Sequence, residues 1–299
     1  LIMNIFDNIK LSFRQGSNLI KLIYINAGVF LLYHAILIAF KLFNSNGIFL
    51  LPFLAMPADG LQLLYHFWTP VTYMFMHEGF LHLFFNMLCL YWFGKIFLMY
   101  YSEKQLTGLY LVGGWMAGLF YFLSFNIFPY FNAVVSQTLL LGASGSIMAI
   151  IVASAVASPN LEMRVLFLGN VKLKYIALVA VLTSFFGITS NNAGGEIAHL
   201  GGALTGYLFV VSLRKGKDIT KWLNVLLDNV VNLFSRKKLK VKKTKYSASY
   251  RKMTDEEFNM EKVRRMQEID RILDKIKSSG YDSLTSEEKK RLFEQGKPN

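Results

Sequence analysis

The chain has 299 residues, of which 54% are hydrophobic, 15% aromatic and only 17% charged, and its mean hydropathy is +0.37. Ordinary soluble domains carry about 25% charged residues, so this composition excludes that class and predicts a membrane protein. The net charge of +13 comes largely from residues beyond Leu213. We interpret it as a signal of membrane topology and not of nucleic-acid binding. The only cysteine, Cys89, lies in an apolar run, which excludes a disulfide framework and favours a packing role.

Six apolar runs are candidates for helices that cross a bilayer, which takes about 20 mostly apolar residues each. They fall at 20–43, 80–100, 105–128, 142–159, 173–190 and 196–213. The fourth and fifth runs are the shortest. The sequence therefore predicts an all-α, polytopic membrane protein with a bundle of six transmembrane helices.

Basic residues in the connecting segments indicate how the bundle is oriented. Those that would all fall on one side are Lys10, Arg14, Lys21, Lys104, Arg164, Lys172, Lys174, Arg214, Lys215 and Lys217. The opposite loops, at 44–79, 129–141 and 191–195, contain no Lys or Arg. By the positive-inside rule, both termini are predicted to be cytoplasmic. The aromatic 44–79 loop is expected to lie in the outer membrane interface.

The sequence divides into a membrane domain at 1–214, a juxtamembrane segment at 215–245 and a small cytosolic tail at 246–299. In the juxtamembrane segment, DITKWLNVLLDNVVNLF has apolar residues at helical spacing and is followed by the basic run SRKKLKVKKTK. This pattern predicts an amphipathic helix on the inner leaflet with attraction to anionic lipids. A solvated linker with incidental basic residues is the alternative.

Two helices are predicted in the cytosolic tail. Thr254 and Glu257 have the spacing of a capping box, Gly280 is expected to end the first helix, and SEEKKRLFEQG begins the second. No residue pattern in this tail indicates chemistry.

The stretch MHEGFLHLFFNMLC, residues 76–89, carries polar residues in an apolar setting. A zinc helix of the H-E-x-x-H kind has its histidines four residues apart, whereas His77 and His82 are five apart, roughly 140° around a helix. We therefore predict no metal site. His82 and Asn86 are four apart and share a face near the outer end of the second span. A pair of polar residues inside the membrane indicates a functional site. The alternative interpretation is an interhelical hydrogen bond that only stabilises the bundle.

A serine and a histidine are predicted at the same outward level on two other spans. In LLGASGSIMA, Ser144 lies between Gly142 and Gly145 at the start of the fourth span, where backbone N–H groups and the helix dipole favour a developing oxyanion. In EIAHLGGALTG, His199 lies one turn into the sixth span. The orientation thus places four polar residues at similar depth: Ser144, His199, His82 and Asn86.

Small residues on the fourth and sixth spans allow close helix packing. The stripe on the fourth span consists of Gly145, Ala149, Ala153 and Ala157, and that on the sixth of Gly202 and Gly206. Such stripes let helix backbones approach. Plain bundle packing explains each stripe alone, and the same packing would hold Ser144 within hydrogen-bond reach of His199, as a nucleophile and its base require.

Together, these residues resemble the rhomboid family of intramembrane serine proteases over about residues 65–213. Three motifs carry the resemblance in family order on the second, fourth and sixth spans: H-x-x-x-N at His82–Asn86, G-x-S-G at Gly142–Gly145, and A-H-x-x-G-x-x-x-G at Ala198–Gly206. The family often has a Trp-Arg pair in its first outer loop, whereas here Trp68 is followed by Thr69. This departure concerns the anchoring of the loop more than the chemistry.

The resemblance implies a six-helix core and a serine endopeptidase. It implies that Ser144 is the nucleophile and His199 the general base of a dyad that lacks an acidic third member. The oxyanion hole would consist of His82, Asn86 and the Ser144 backbone N–H, and helix packing would be supported by Gly142, Gly145, Gly202 and Gly206. The substrates would be single-span or multi-span membrane proteins, cleaved near the outer face. No cofactor or metal is expected, and no nucleic acid is expected as a partner.

Two other functions remain open at this point. A catalytically inactive relative would bind membrane-protein clients, although such proteins typically lose the serine or the histidine. A transporter would show internal repeats around a midplane site, and the two halves of this sequence show none. The simple six-span plan favours a bacterial inner membrane.

Overall fold

The computed structural model describes residues 11, 13, 16–44, 50–165, 169–234 and 255–295. The chain divides into two compact units, Leu1–Lys238 and Leu239–Asn299. Helices dominate both units, so the predicted all-α class of membrane bundle is confirmed.

The first unit contains ten helices and four short strands among the described residues. In chain order they are α1 (Asn18–Leu42), α2 (Leu50–Leu54), β1 (Met56–Pro57), α3 (Gly60–Tyr65), α4 (Thr69–Thr72), α5 (Phe80–Tyr100), α6 (Glu103–Ile127), β2 (Leu139–Leu140), α7 (Ser144–Ala157), β3 (Glu162–Val165), β4 (Gly169–Lys172), α8 (Leu173–Phe186), α9 (Ala193–Arg214) and α10 (Lys221–Phe234). Single turns of 3₁₀ helix lie at Tyr73–Phe75, Pro129–Phe131 and Gly187–Thr189.

Six of these helices correspond to the six predicted spans. Helices α1, α5, α6 and α9 are long and apolar enough to cross a membrane. Helices α7 and α8 are apolar but only 14 residues long each. Almost every residue of α7 from Gly145 to Ala155 is buried. Because protein surrounds α7, the packing of its neighbours sets its length more than the thickness of the hydrocarbon does.

Helix α7 lies at the centre of the bundle and contacts α5, α6, α8 and α9. The closest approach is between α7 and α9, where a Cβ atom on Gly202 would overlap the carbonyl oxygen of Gly145 and one on Gly206 that of Ala149. Helix α6 is similarly close, since a Cβ on Gly113 would lie 2.6 Å from the Ala149 Cβ. The small-residue stripes therefore form a direct backbone contact between α7 and α9.

Two short antiparallel strand pairs occur in the loops, which the sequence did not indicate. Strand β1 pairs with β2, with Met56 opposite Leu140, and thus joins the connection between α1 and α5 to the segment just before α7. Strands β3 and β4 form a hairpin between α7 and α8, with Glu162 opposite Lys172. The first pair matters for the site because it lies four residues before Ser144.

Helix α10 packs against α6 within the first unit. The Trp222 ring lies 5.7 Å from the Trp115 ring, and Lys104 Nζ pairs with Asp228 Oδ2 at 2.7 Å. Leu223 is buried, whereas Val225 and Leu226 are half-exposed. The predicted helix is therefore present with an apolar outer face, while the basic run at 235–245 lies outside the described residues.

The second unit is a helical hairpin of α11 (Asp255–Ser279) and α12 (Ser286–Gln295), joined through a 3₁₀ turn at Tyr281–Ser283. Gly280 has a φ of +77° and ends α11, as predicted. Thr285 and Glu288 cap α12 reciprocally, and ion pairs join Lys275 to Glu288 and Arg291 to Glu268. Thr254, part of the predicted cap of α11, lies outside the described residues.

Candidate active site

Ser144 is the first residue of α7 and is partly exposed. The turn before it depends on Gly142, whose φ of +123° is accessible without strain only to glycine. The Gly142 N–H donates to the Tyr73 carbonyl at 2.9 Å, which holds the turn against the connection between α1 and α5. The first N–H groups of α7 have no partner within the helix and carry the positive end of its dipole. The serine hydroxyl is thus placed at an anion-stabilising helix end.

His199 lies in the second turn of α9, at the level of Ser144. The residues next to them are in contact, since a Cβ on Gly145 would lie 3.5 Å from the Ala198 carbonyl oxygen. Across the part of the chain that the structure describes, no hydrogen bond joins the Ser144 and His199 side chains. Catalytic hydrogen bonds are often long without substrate and tighten when substrate binds. The close packing of α7 and α9 therefore places Ser144 and His199 near each other. A hydrogen bond between them requires only a change in the conformation of their side chains.

The His82 and Ser144 side chains both lie close to Gly142. A Cβ on Gly142 would lie 3.1 Å from both Cε1 and Nε2 of His82 and 3.7 Å from Ser144 Oγ. Asn86, one turn along α5 from His82, is buried and donates from Nδ2 to the His82 carbonyl at 2.9 Å. An amide NH₂ carries two hydrogens, so this bond leaves one for another acceptor. Gly142 was grouped with the packing glycines, but it lies in this turn beside the histidine ring and not between two helix backbones.

Two further polar residues contact His199 that the sequence analysis did not single out. The Ser184 hydroxyl on α8 lies 3.1 Å from His199 Nδ1, and Glu196 Oε2 lies 3.4 Å from the same nitrogen. The implied dyad without an acid therefore has a carboxylate beside it in this chain. Glu196 precedes His199 by three residues, a helical spacing that indicates contact from sequence alone. Ser184 is on another helix, and no sequence pattern connects it to His199.

His77 lies beneath the site and is only 1% exposed. Its ring centroid is 5.0 Å from that of His82, and its Nδ1 lies 3.3 Å from the Phe75 carbonyl oxygen. Burial, with a smaller contribution from nearby His82, lowers the pKa of His77 from 6.5 to about 4. His77 is therefore a buried neutral histidine. Among the described residues, no group of three or more His, Cys, Asp or Glu side chains is placed to hold a metal ion.

The depressed pKa of His77 predicts a loss of stability in mild acid. The unfolded chain binds this proton near pH 6.5 and the folded chain only near pH 4, so the unfolding free energy decreases as the pH falls through that window. We expect His77 to account for about 2 kcal/mol between pH 7 and pH 5. Unfolding in mixed detergent micelles at both pH values measures this change. His77→Gln should reduce the pH dependence, and an unchanged dependence in this variant would contradict the assignment.

The connection between α1 and α5 is anchored without a Trp-Arg pair. Trp68 Nε1 donates to the Phe53 carbonyl at 2.7 Å, and Thr72 Oγ1 donates to the Leu54 carbonyl at 2.6 Å. Thr69, which follows Trp68, is buried, and its hydroxyl donates to the His66 carbonyl at 2.7 Å. Hydroxyl and indole donors therefore hold the backbone of this loop next to the site.

Comparison with known families locates two matches on the chain. The model of the rhomboid domain matches residues 65–216, just over half of the chain, and a family of unknown function (DUF6576) matches residues 252–297. The search of curated proteins returned no match. The rhomboid match covers α4 to α9, which include every element of the candidate site, and it confirms the resemblance seen in the motifs. The chain is an integral membrane protein that belongs to the rhomboid family.

Proposed function

We propose that this protein is an intramembrane serine endopeptidase that cleaves transmembrane-helix substrates near the outer membrane face. The observation that carries this proposal is the convergence at one turn: Ser144 begins α7, His82 flanks Gly142, and α9 brings His199 to the same level. The family membership supports the reaction class. Nucleophile, base and oxyanion donors are thus supplied by three different helices around one point.

In the proposed reaction, Ser144 Oγ attacks the scissile carbonyl carbon while His199 accepts the hydroxyl proton. The carbonyl oxygen becomes an oxyanion, and its collapse breaks the C–N bond as His199 gives the proton to the leaving amine. A water molecule then attacks the acyl-enzyme by the same route, with His199 as base, and releases the acid and the free serine. The serine thereby splits one difficult hydrolysis into two easier steps.

The oxyanion would be stabilised by the Ser144 backbone N–H together with His82 and Asn86. The helix N-terminus at Ser144 provides N–H groups and the positive end of a dipole, and the Asn86 amide retains a hydrogen after its bond to the His82 carbonyl. Removal of one oxyanion donor typically costs about 3 kcal/mol of transition-state stabilisation.

Substrate entry is proposed to occur past α8. This helix is short and lies at the edge of the bundle, with a largely exposed apolar surface that includes Leu178, Val179, Leu182, Phe185 and Phe186. A displacement of α8 would open the side of the site to a substrate helix and to the water that hydrolysis needs. The distribution of basic residues supports cytoplasmic termini and an outward site, with the basic run on anionic lipids. The simple six-span plan favours a bacterial inner membrane.

Labelling with a fluorophosphonate probe tests the proposal on the purified protein in detergent. We expect one modified residue, Ser144, located by peptide mass spectrometry, and a parallel loss of cleavage of a single-span model substrate. Heat-unfolded protein is the control, because a serine without its base does not react. Cleavage that continues after complete labelling of Ser144 would contradict the assignment. Absence of both labelling and cleavage would favour an inactive, client-binding rhomboid.

A further inference from the structure

The imidazole of His199 is held at Nδ1 by side chains that the reaction above does not use. Ser184 Oγ lies 3.1 Å from this nitrogen and Glu196 Oε2 lies 3.4 Å from it. Ser184 is only 2% exposed, and the side chains of Glu196 and His199 are each 19% exposed. Partial withdrawal from water strengthens the interaction between the carboxylate and the ring.

The carboxylate of Glu196 occupies a space that a glycine keeps open. A Cβ on Gly187, at the end of α8, would lie 2.8 Å from Glu196 Cγ and 3.0 Å from Cδ. The carboxylate also interacts with the Ser184 hydroxyl and the Asn192 side chain. The Glu196 side chain is therefore packed against Gly187 beside these polar groups and does not simply extend into solvent.

The hydrogen-bonding capacity of these groups determines the tautomer of His199. An ionised carboxylate only accepts hydrogen bonds. If Ser184 donates its hydrogen to Glu196, its oxygen is left to accept from the His199 Nδ1–H at 3.1 Å. The negative Glu196 carboxylate, 3.4 Å from the same nitrogen, also favours a hydrogen there. Both contacts favour the proton on Nδ1. The lone pair is then on Nε2, the other ring nitrogen, which is the form that a general base for Ser144 requires.

We propose that Glu196 and Ser184 are positioning residues that hold His199 in its basic tautomer and stabilise the imidazolium formed during catalysis. This inference rests on the proposed function. In place of a dyad of Ser144 and His199 alone, it describes a network in which Glu196 and Ser184 both contact His199. The titratable groups that face His199 are Glu196 on its own helix and His82 on α5. Of the two, only Glu196 supplies the negative charge that favours imidazolium.

The test compares Glu196→Gln, Glu196→Asp and Ser184→Ala with the wild type and with the control Thr183→Ala, which removes an exposed hydroxyl on α8 that donates to the Val179 carbonyl. Gln has nearly the shape of Glu, but its amide donates as well as accepts, so the tautomer is no longer enforced. We expect kcat for a single-span substrate to fall about 100-fold in Glu196→Gln and about tenfold in Ser184→Ala, with KM unchanged. Glu196→Asp should recover at least about tenfold over Glu196→Gln, because it keeps the charge. Thr183→Ala should stay within about threefold of wild type.

The rate of Ser144 labelling by the fluorophosphonate should follow kcat, since it reports nucleophile activation without substrate binding. Equal kcat in Glu196→Gln and wild type, equal rates for the Gln and Asp variants, or a change confined to KM would overturn the inference while leaving the protease assignment intact. If Glu196→Gln fails to fold, Ser184→Ala decides the matter: a kcat equal to that of wild type, or a change confined to KM, would overturn the inference. A wild type that neither cleaves nor labels would overturn the proposed function, and the inference with it.

Discussion

Replacement of Ser144 or His199 by alanine is expected to lower kcat for cleavage of a transmembrane substrate by at least about 10⁴-fold. Ser144→Ala removes the attacking oxygen, and His199→Ala leaves the hydroxyl without a base. Because the two side chains act as one unit, the double variant should be no worse than either single variant. The measurement is the single-turnover rate in detergent, with folding verified by thermal unfolding.

Ser146→Ala is the matched control for this experiment. Ser146 lies two residues further along α7, is 1% exposed, and has a hydroxyl without a hydrogen-bond partner among the described residues. Its removal deletes a buried unsatisfied group and should leave activity intact. Substantial cleavage by Ser144→Ala, or a loss in Ser146→Ala as large as that in Ser144→Ala, would contradict the assigned nucleophile.

The second large effect is expected from the glycines where α7 and α9 touch. In Gly202→Ala the new methyl group would overlap the carbonyl oxygen of Gly145, which is backbone and cannot rotate away. The helices must separate, at a cost of about 3 kcal/mol in unfolding free energy. The same separation moves His199 from Ser144, and a shift on the order of 1 Å costs about 100-fold in rate.

Gly28→Ala provides the comparison, because a Cβ on Gly28 in α1 would meet nothing within 4 Å. This variant should unfold at the same free energy as wild type or higher, since alanine favours a helix. Unfolding and cleavage are measured for both variants. A Gly202→Ala protein as stable and active as Gly28→Ala would show that the contact between α7 and α9 is not required.

The path of the chain through the bundle was largely predictable. Span 80–100 coincides with α5, and the other five predicted spans begin and end within a few residues of their helices. Apolar length is a strong signal because backbone groups in hydrocarbon must bond within their own helix. The strand pair β1–β2 was not predictable, because each strand has two residues and their pairing joins segments about 80 residues apart.

The candidate site was predictable to different degrees in its different parts. The motifs place Ser144 and His199 at the outward ends of the fourth and sixth spans, and the resemblance to the rhomboid family implies their roles as nucleophile and base. The role of Gly142 was interpreted as packing, whereas the structure gives it a positive φ and the His82 ring as its neighbour. A backbone dihedral angle and a contact across helices are not properties that residue spacing encodes.

By itself, the sequence determined that this is a membrane bundle of six apolar helices with rhomboid motifs on three of them, because hydrophobic length and helical spacing are local properties. Only the tertiary structure decided what surrounds the histidine: Glu196 and Ser184 both reach His199 Nδ1, although Ser184 belongs to α8 and His199 to α9. That outcome depends on how closely the glycine-lined backbones approach and how the helices rotate against one another. Both follow from the packing of the whole bundle, which no single stretch of the chain contains.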